Sequence, residues 1–144
     1  MYIQNNNKIL ISDVMLTPGQ FPAINKTTFL KEALEEMGKY GLGIACIVDN
    51  ENKLYGILTD GDIRRKLLKV QKPFSAFFVD DTAIHSIIKP VCCKANDLLY
   101  KAVIIMGEKK VWDLPVIDKD NKLLGLLHLH PAVEALLEKL EENT

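Results

Sequence analysis

The chain has 144 residues, a formal net charge of −1 and 48% hydrophobic residues. That length fits one compact unit or two very small ones with a real core, and the balanced charge gives no footprint for nucleic acid. The cysteines, Cys46, Cys92 and Cys93, are odd in number, two are adjacent, and none forms a Cys-x-x-Cys pair; this argues against a disulfide framework and a metal site and for a reduced, cytoplasmic setting.

In chain order, residues 1–8 are polar and Asn-rich, lack the apolar stretch of a signal peptide and read as a flexible terminus. No apolar run is long enough to span a membrane. Ile9-Leu10-Ile11 is a short apolar run. Ser12 or Asp13 can cap a helical turn after it, and Thr17-Pro18-Gly19 marks a loop. Pro22-Ala23-Ile24 reads as a short extended piece. Thr27-Thr28 opens a helix with Leu30, Ala33, Leu34 and Met37 on one face. Ile44–Val48 is a buried strand, Asp49–Asn52 a hairpin turn and Leu54–Leu58 the returning strand. Ile63 starts a second helix that runs to Val70, with Leu67 and Leu68 also turned inward. Gln71–Thr82 is a linker carrying Phe74, Phe77 and Phe78. Three aromatics are costly to leave in water, so they either cover the junction of the two halves or meet a second chain. His85 follows with nothing in the sequence to pair with it.

The same order then returns. Asp97 opens a helix with Leu99, Ala102, Val103 and Met106; Leu114–Ile117 is a strand, Asp118–Asn121 a turn and Leu123–Leu127 a strand. The last helix, Pro131–Leu140, turns Val133, Leu136, Leu137 and Leu140 inward. A shift of 69 positions, from Gly56 to Gly125, carries Asn52-Lys53-Leu54 onto Asn121-Lys122-Leu123 and Met37 onto Met106. Chance overlap of two amphipathic patterns does not reproduce a turn triplet and a glycine. The lead-in from Met15 to Lys26 is four residues longer than that from Ile88 to Ala95. Two packed copies are expected to share one core.

The chemistry concentrates at Gly56-Ile57-Leu58-Thr59-Asp60-Gly61-Asp62, a strand feeding a helix through a polar turn. Helix starts offer free N–H groups to an anion or polyol. Thr59 can donate and accept, and Asp62 can only accept. They suit a phosphate edge and a ribose diol, or Asp60 or Asp62 simply caps the helix. In the second copy His128 and Pro131 replace Thr59 and Asp62. His128 and His130 then read either as a pH-sensitive or phosphate-binding second site, or as a turn bonded to backbone. Arg64-Arg65 in a first helical turn opposes the helix dipole unless an anion offsets it. Trp112 reads as a packing anchor. No nucleophile stands with a base and an orienting group, so no catalytic residue is assigned.

The doubled β-α-β-β-α unit with Gly56-x-x-Thr59-x-x-Asp62 resembles a tandem cystathionine-β-synthase (CBS) domain pair from Ser12 to Glu138. The Gly56–Arg65 and Gly125–His130 turns are similar to those in the C-terminal CBS pair of arabinose-5-phosphate isomerases, enzymes that feed synthesis of the surface sugar Kdo. The resemblance implies an α/β (α+β) fold of two repeats packed as a pseudo-two-fold pair. Repeat 1 is expected over 9–70, the linker over 71–82 and repeat 2 over 83–140, with 141–144 a second flexible terminus. Such pairs bind adenine nucleotides between the repeats. That implies Thr59 on ribose or phosphate and Asp62 on the ribose hydroxyls, with Gly56 and Asp60 completing the turn. The base would lie against Pro22, Ala23, Ile24, Ile44 and Cys46. The implied ligands are AMP, ADP, ATP or CMP-Kdo, with no required cofactor. The implied role is regulation of a sugar-phosphate isomerase or another surface-sugar enzyme, as a homodimer formed through the CBS helices. The alternatives are a ligand-free dimerisation scaffold and a fragment of a longer isomerase.

Overall fold

The computed structural model describes residues 8–69 and 72–142. Its elements are β1 (Ala23–Asn25), α1 (Leu30–Tyr40), β2 (Ile44–Val48), β3 (Leu54–Thr59), α2 (Asp60–Lys69), α3 (Phe74–Phe78), β4 (Ile87–Ile88), α4 (Leu99–Lys109), β5 (Asp113–Ile117), β6 (Leu123–His128) and α5 (Leu129–Glu142). Two short 3-10 turns, Ile11–Asp13 and Thr82–His85, lie in the lead-in segments. The fold is α/β, and the succession helix, strand, strand, helix recurs in both copies.

Two compact units form, and they are offset from the sequence repeats. One, the Thr59 unit, takes Pro18–Pro90 with Asp120–Leu123. The other, the His128 unit, takes the chain up to Thr17, Val91–Lys119 and the chain from Leu124 on. Each lead-in segment therefore joins the repeat that it does not precede. In the His128 unit, Leu99 N–H donates to Ile9 C=O (2.9 Å) and Ile11 N–H to Asp97 C=O (3.0 Å). In the Thr59 unit, Leu30 N–H donates to Asp80 C=O and Thr82 N–H to Thr28 C=O, both at 2.8 Å. These bonds explain why α1 and α4 start at Leu30 and Leu99, later than Thr27-Thr28 and Asp97 suggest. The lead-in carbonyls satisfy the first free N–H of each helix, so no side-chain cap is needed. They also correct the lead-in alignment. Leu16 pairs with Leu126 and Ile87 with Ile57, so the lead-ins are displaced by 71 positions (16 to 87). The difference in length is two residues, not four.

The Thr59 unit carries a four-stranded sheet in the order β1-β2-β3-β4, with β1 parallel to β2 and the other pairs antiparallel. In the His128 unit β5 and β6 pair, and the outer strands shrink to single bridges, Cys93 with Val116 and Leu16 with Leu126. A shared core was expected, but the clustered buried residues form two cores, one per unit. Leu30, Ala33, Met37, Ala45, Ile47 and Leu58 of one become Leu99, Ala102, Met106, Leu114, Val116 and Leu127 of the other, and Ile24 and Ile63 become Cys93 and Ala132. The gain at Leu114 recovers only part of the volume lost at Cys93, Val116 and Ala132. The remaining position of each cluster comes from outside the repeat: Phe77 in one, Ile11 in the other. Phe77, expected over a junction, is thus a core residue, while Phe78 is 36% exposed.

The helix faces need one correction, the same in both copies. Leu68 and Leu137 are 80% and 54% exposed, and Leu140 is 49% exposed. Leu67 and Leu136 pack against the cores instead. Neighbouring helical residues point about 100° apart, so Leu67 and Leu68 cannot both face in. Val70 lies outside the described residues.

The repeated glycine has a mechanical reason. A Cβ on Gly56 would stand 2.4 Å from Ile87 O, and one on Gly125 would stand 2.6 Å from Leu16 O. Each glycine admits the lead-in strand that completes its sheet. The repeated asparagine has another: Asn52 and Asn121 take φ of 63° and 66°, the left-handed region that asparagine tolerates. Within the Thr59 unit, Asn52 Nδ2 donates to Leu123 C=O (3.1 Å) and Asn121 Nδ2 to Leu54 C=O (2.9 Å).

Candidate functional site

In the Thr59 unit, β3 delivers Thr59 to the start of α2. The Asp60 N–H donates across to Gly43 C=O (3.1 Å) and fixes the turn. Thr59, not Asp60 or Asp62, is the cap: its Oγ1 accepts from Asp62 N–H (3.2 Å). The same hydroxyl donates to Asp62 Oδ2 at 2.5 Å. Asp62 Oδ1 receives Arg65 Nη2 at 2.7 Å. The cation that seemed misplaced in a first turn is therefore matched one turn back by a carboxylate of the same helix, which offsets the unfavourable dipole. A carboxylate has about four lone-pair sites, so Asp62 keeps acceptor capacity, and its side chain is 20% exposed.

The other sequence-assigned positions fall around this turn in two groups. Ile44 pairs with Thr59 across the β2–β3 ladder, and Cys46 pairs with Ile57 on one side and Ala23 on the other. Ile44 and Cys46 are 2% and 0% exposed over the whole residue, and the Cys46 N–H is taken by Pro22 C=O (2.9 Å), so the base contact expected of them is covered in this structure. Gly56 is filled by the approach of Ile87, and Asp60 is exposed. Pro22, Ala23 and Ile24 line a groove of about 470 Å³ between β1 and α1, which Thr59 and Asp62 do not line.

The equivalent turn in the His128 unit is built differently. Leu129 N–H donates to Trp112 C=O (2.9 Å), the counterpart of the Asp60–Gly43 bond. His128 Nδ1 lies 2.7 Å from Asp113 Oδ1. The expected backbone partner is replaced by a carboxylate. The cause lies in the repeat register, because the shift that carries Thr59 to His128 carries Ile44 to Asp113. Burial pushes the Asp113 carboxyl up, and the His128 bond offsets this in part. His130 pairs with Glu134 along α5, Nε2 to Oε1 at 2.6 Å, so the two histidines have separate carboxylate partners. Among the described residues no group of His, Cys, Asp or Glu could hold a metal. Trp112 is 71% exposed, so it anchors no packing.

His85, for which the sequence offered no partner, is 5% exposed, stacked on Phe77 at 4.4 Å, with Nε2 2.9 Å from Asp80 Oδ2. Lys72 Nζ meets the same oxygen at 2.6 Å. The hydrogen bonds from Lys72 and then His85 hold the Asp80 carboxyl below its ordinary value. Asp80 and His85 are five positions apart in a segment that looked like a linker, so no helix or strand period signalled them. Asp113 was legible in principle, through the strand register that the repeat implies.

Against known proteins, the CBS domain family matches residues 11–69 and 83–138. Arabinose 5-phosphate isomerase KdsD of Pseudomonas aeruginosa is 34% identical over 125 residues, covering 87% of this chain. KdsD of Escherichia coli K12 is 30% identical over 127 residues, again 87% of this chain. The chain spans 37% of the length of each of these isomerases. Among solved structures, CBSX2 in complex with AMP superimposes with a TM-score of 0.79 at 24% identity, covering 90% of this chain and 96% of that one. The CBS domain pair of MJ0100, in complex with 5′-methylthioadenosine and S-adenosyl-L-methionine, gives a TM-score of 0.74 at 18% identity, covering 94% and 98%.

Proposed function

The chain belongs to the CBS domain family, and on that premise we propose that it is a regulatory module whose Thr59 turn takes an adenine nucleotide or a nucleotide-sugar. The observation that carries this reading is the asymmetry between the two turns. The Thr59 unit holds a hydroxyl and a carboxylate 2.5 Å apart at a helix start, while the His128 unit keeps the helix without that pair and sets His128 against Asp113 at 2.7 Å instead. Folding such a turn therefore does not require the Thr59–Asp62 pair. A ribose diol donates to Asp62 in place of the Thr59 hydroxyl, which turns to the phosphate. Arg65, released from Asp62, is within the same turn to meet phosphate charge. The occupied module acts on a catalytic partner only as far as the ligand binds two of its arrangements unequally. The KdsD relatives make a sugar-phosphate isomerase of the Kdo pathway the first partner to test, whether as a separate chain or as the rest of a longer one.

Calorimetry with AMP, ADP, ATP and CMP-Kdo tests the reading. One of them binds, and Asp62→Ala weakens it by about 1–3 kcal/mol, the cost of stranding polar partners. Absence of binding by all four, with the fold intact, refutes the sensor. A second reading, a ligand-free scaffold that holds enzyme subunits together, draws on a different observation. Ile104 and Ile105 of α4 and Leu137 and Leu140 of α5 are exposed, from 37% to 54%. Sedimentation that shows a dimer without any nucleotide binding favours that reading.

A further inference from the structure

The open edge of β1 carries chemistry that the Thr59 turn leaves unused. Among the described residues β1 has a strand neighbour on one side only. Its parallel register with β2 commits Pro22 C=O to Cys46 N–H and Lys26 N–H to Val48 C=O, both at 2.9 Å. Alternate residues of a strand bond to opposite sides. Ala23 therefore turns its N–H and C=O outward, and Asn25 turns out its N–H. Asn25 C=O is taken by Thr28 N–H (3.0 Å). Ala23 is exposed. Such an edge is a template for another extended chain unless something guards it.

This edge lies in the groove of about 470 Å³, whose opposite wall includes Glu32, Glu35 and Glu36 of α1. Lys39 of the same wall meets Glu36 at 2.9 Å and also lies in the field of Glu35, so three carboxylates stand against one cation in this groove. A protected edge commonly carries lysine or proline facing out. Here the guard is anionic, so it repels acidic segments and attracts basic ones. We propose that the outer edge of β1 receives an extended peptide segment bearing lysine or arginine, which adds as a strand on Ala23 and Asn25 and places its basic side chains on Glu32 and Glu35.

The probe is a fluorescein-labelled hexapeptide of alternating lysine and valine, with a glutamate–valine peptide as its counterpart. Anisotropy is expected to show saturable binding of the first only. Saturation should shift the Ala23 and Asn25 amide signals in nitrogen-15 NMR spectra. Glu32→Gln with Glu35→Gln should weaken binding roughly tenfold while leaving the backbone untouched. Ala23→Pro removes an outward N–H without touching the β2 ladder and should abolish binding at an unchanged thermal midpoint. Equal binding of the two peptides, stationary Ala23 and Asn25 signals at saturation, full affinity in the double glutamine variant, or no binding at millimolar peptide each overturns the proposal.

Discussion

Replacing Gly56 by alanine tests the exchange of lead-in segments directly. The new Cβ would lie 2.4 Å from Ile87 O, 3.1 Å from Ile87 C and 3.4 Å from Ser86 Cβ. The first obstacle is backbone, and a carbon–oxygen contact needs roughly 3.3 Å. The β4 strand must therefore retreat by about 1 Å or leave the sheet. Either outcome spoils the pairing of Gly56 with Ile88 and of Ile57 with Ile87. Overpacking of this kind costs about 1–3 kcal/mol, and lost ladder bonds push the value toward the upper end. For a chain near this size each kcal/mol moves the melting midpoint by about 2–4 °C, so a drop of roughly 4–12 °C is expected. Thermal and urea unfolding followed by circular dichroism measure it. Gly107→Ala is the control, because nothing lies within 4 Å of its Cβ position. In a helix interior that change should stabilise by about 0.5–1 kcal/mol. If Gly56→Ala melts with the wild type while Gly107→Ala behaves as stated, Ile87 does not complete this sheet.

Other outcomes follow from the same geometry. Leu67→Ala should cost about 1–3 kcal/mol and Leu68→Ala less than about 0.5, since only Leu67 meets the core; equal losses would restore the two-leucine face. Asp80 sits below its ordinary 3.8, so the stability it adds is present above that pH and lost as pH falls through its lower folded value; Asp80→Asn should flatten that acid limb in pH-dependent melting. Asp113 has the opposite sign, because burial raises it: its contribution is present in acid and lost as pH rises through the raised value, so Asp113→Asn should gain relative stability toward neutral pH. Burial pushes the Cys93 thiol up to about 12, so iodoacetamide at pH 8 should label Cys92 before Cys93, read by mass spectrometry; earlier labelling of Cys93 would show that its site is open.

The repeat makes most of the fold readable in the chain itself. Leu30, Ala33 and Met37 fall on a helical period, Ile44–Val48 is continuously apolar, and Asn52 and Gly56 recur as Asn121 and Gly125. All of these record local geometry: a helix face, a strand buried on both sides, a left-handed turn and a close backbone approach. Leu68 and Leu137 misled because leucine is common on exposed helix faces too, and hydrophobicity alone does not choose between neighbours 100° apart. The lead-in exchange was hidden because Ile11 bonds to, and Phe77 packs among, residues distant in sequence, and neither follows a period. At the site, Thr59 and Asp62 were legible by residue type. Their mutual bond and the Arg65 clasp were not, since both depend on side-chain rotamers.

The exchange of lead-in segments also orders events in time. The Thr59 core is complete once the chain has been made as far as Phe77, and its sheet closes with Ile88. Ile11 is synthesised before any of its core neighbours, the last of which is Ala132. During translation the Ile11 segment is left without its core partners for most of the chain, while the core that follows it has all its members. Vectorial synthesis therefore makes the Thr59 core available before the His128 core, although the two repeats are nearly equal in content.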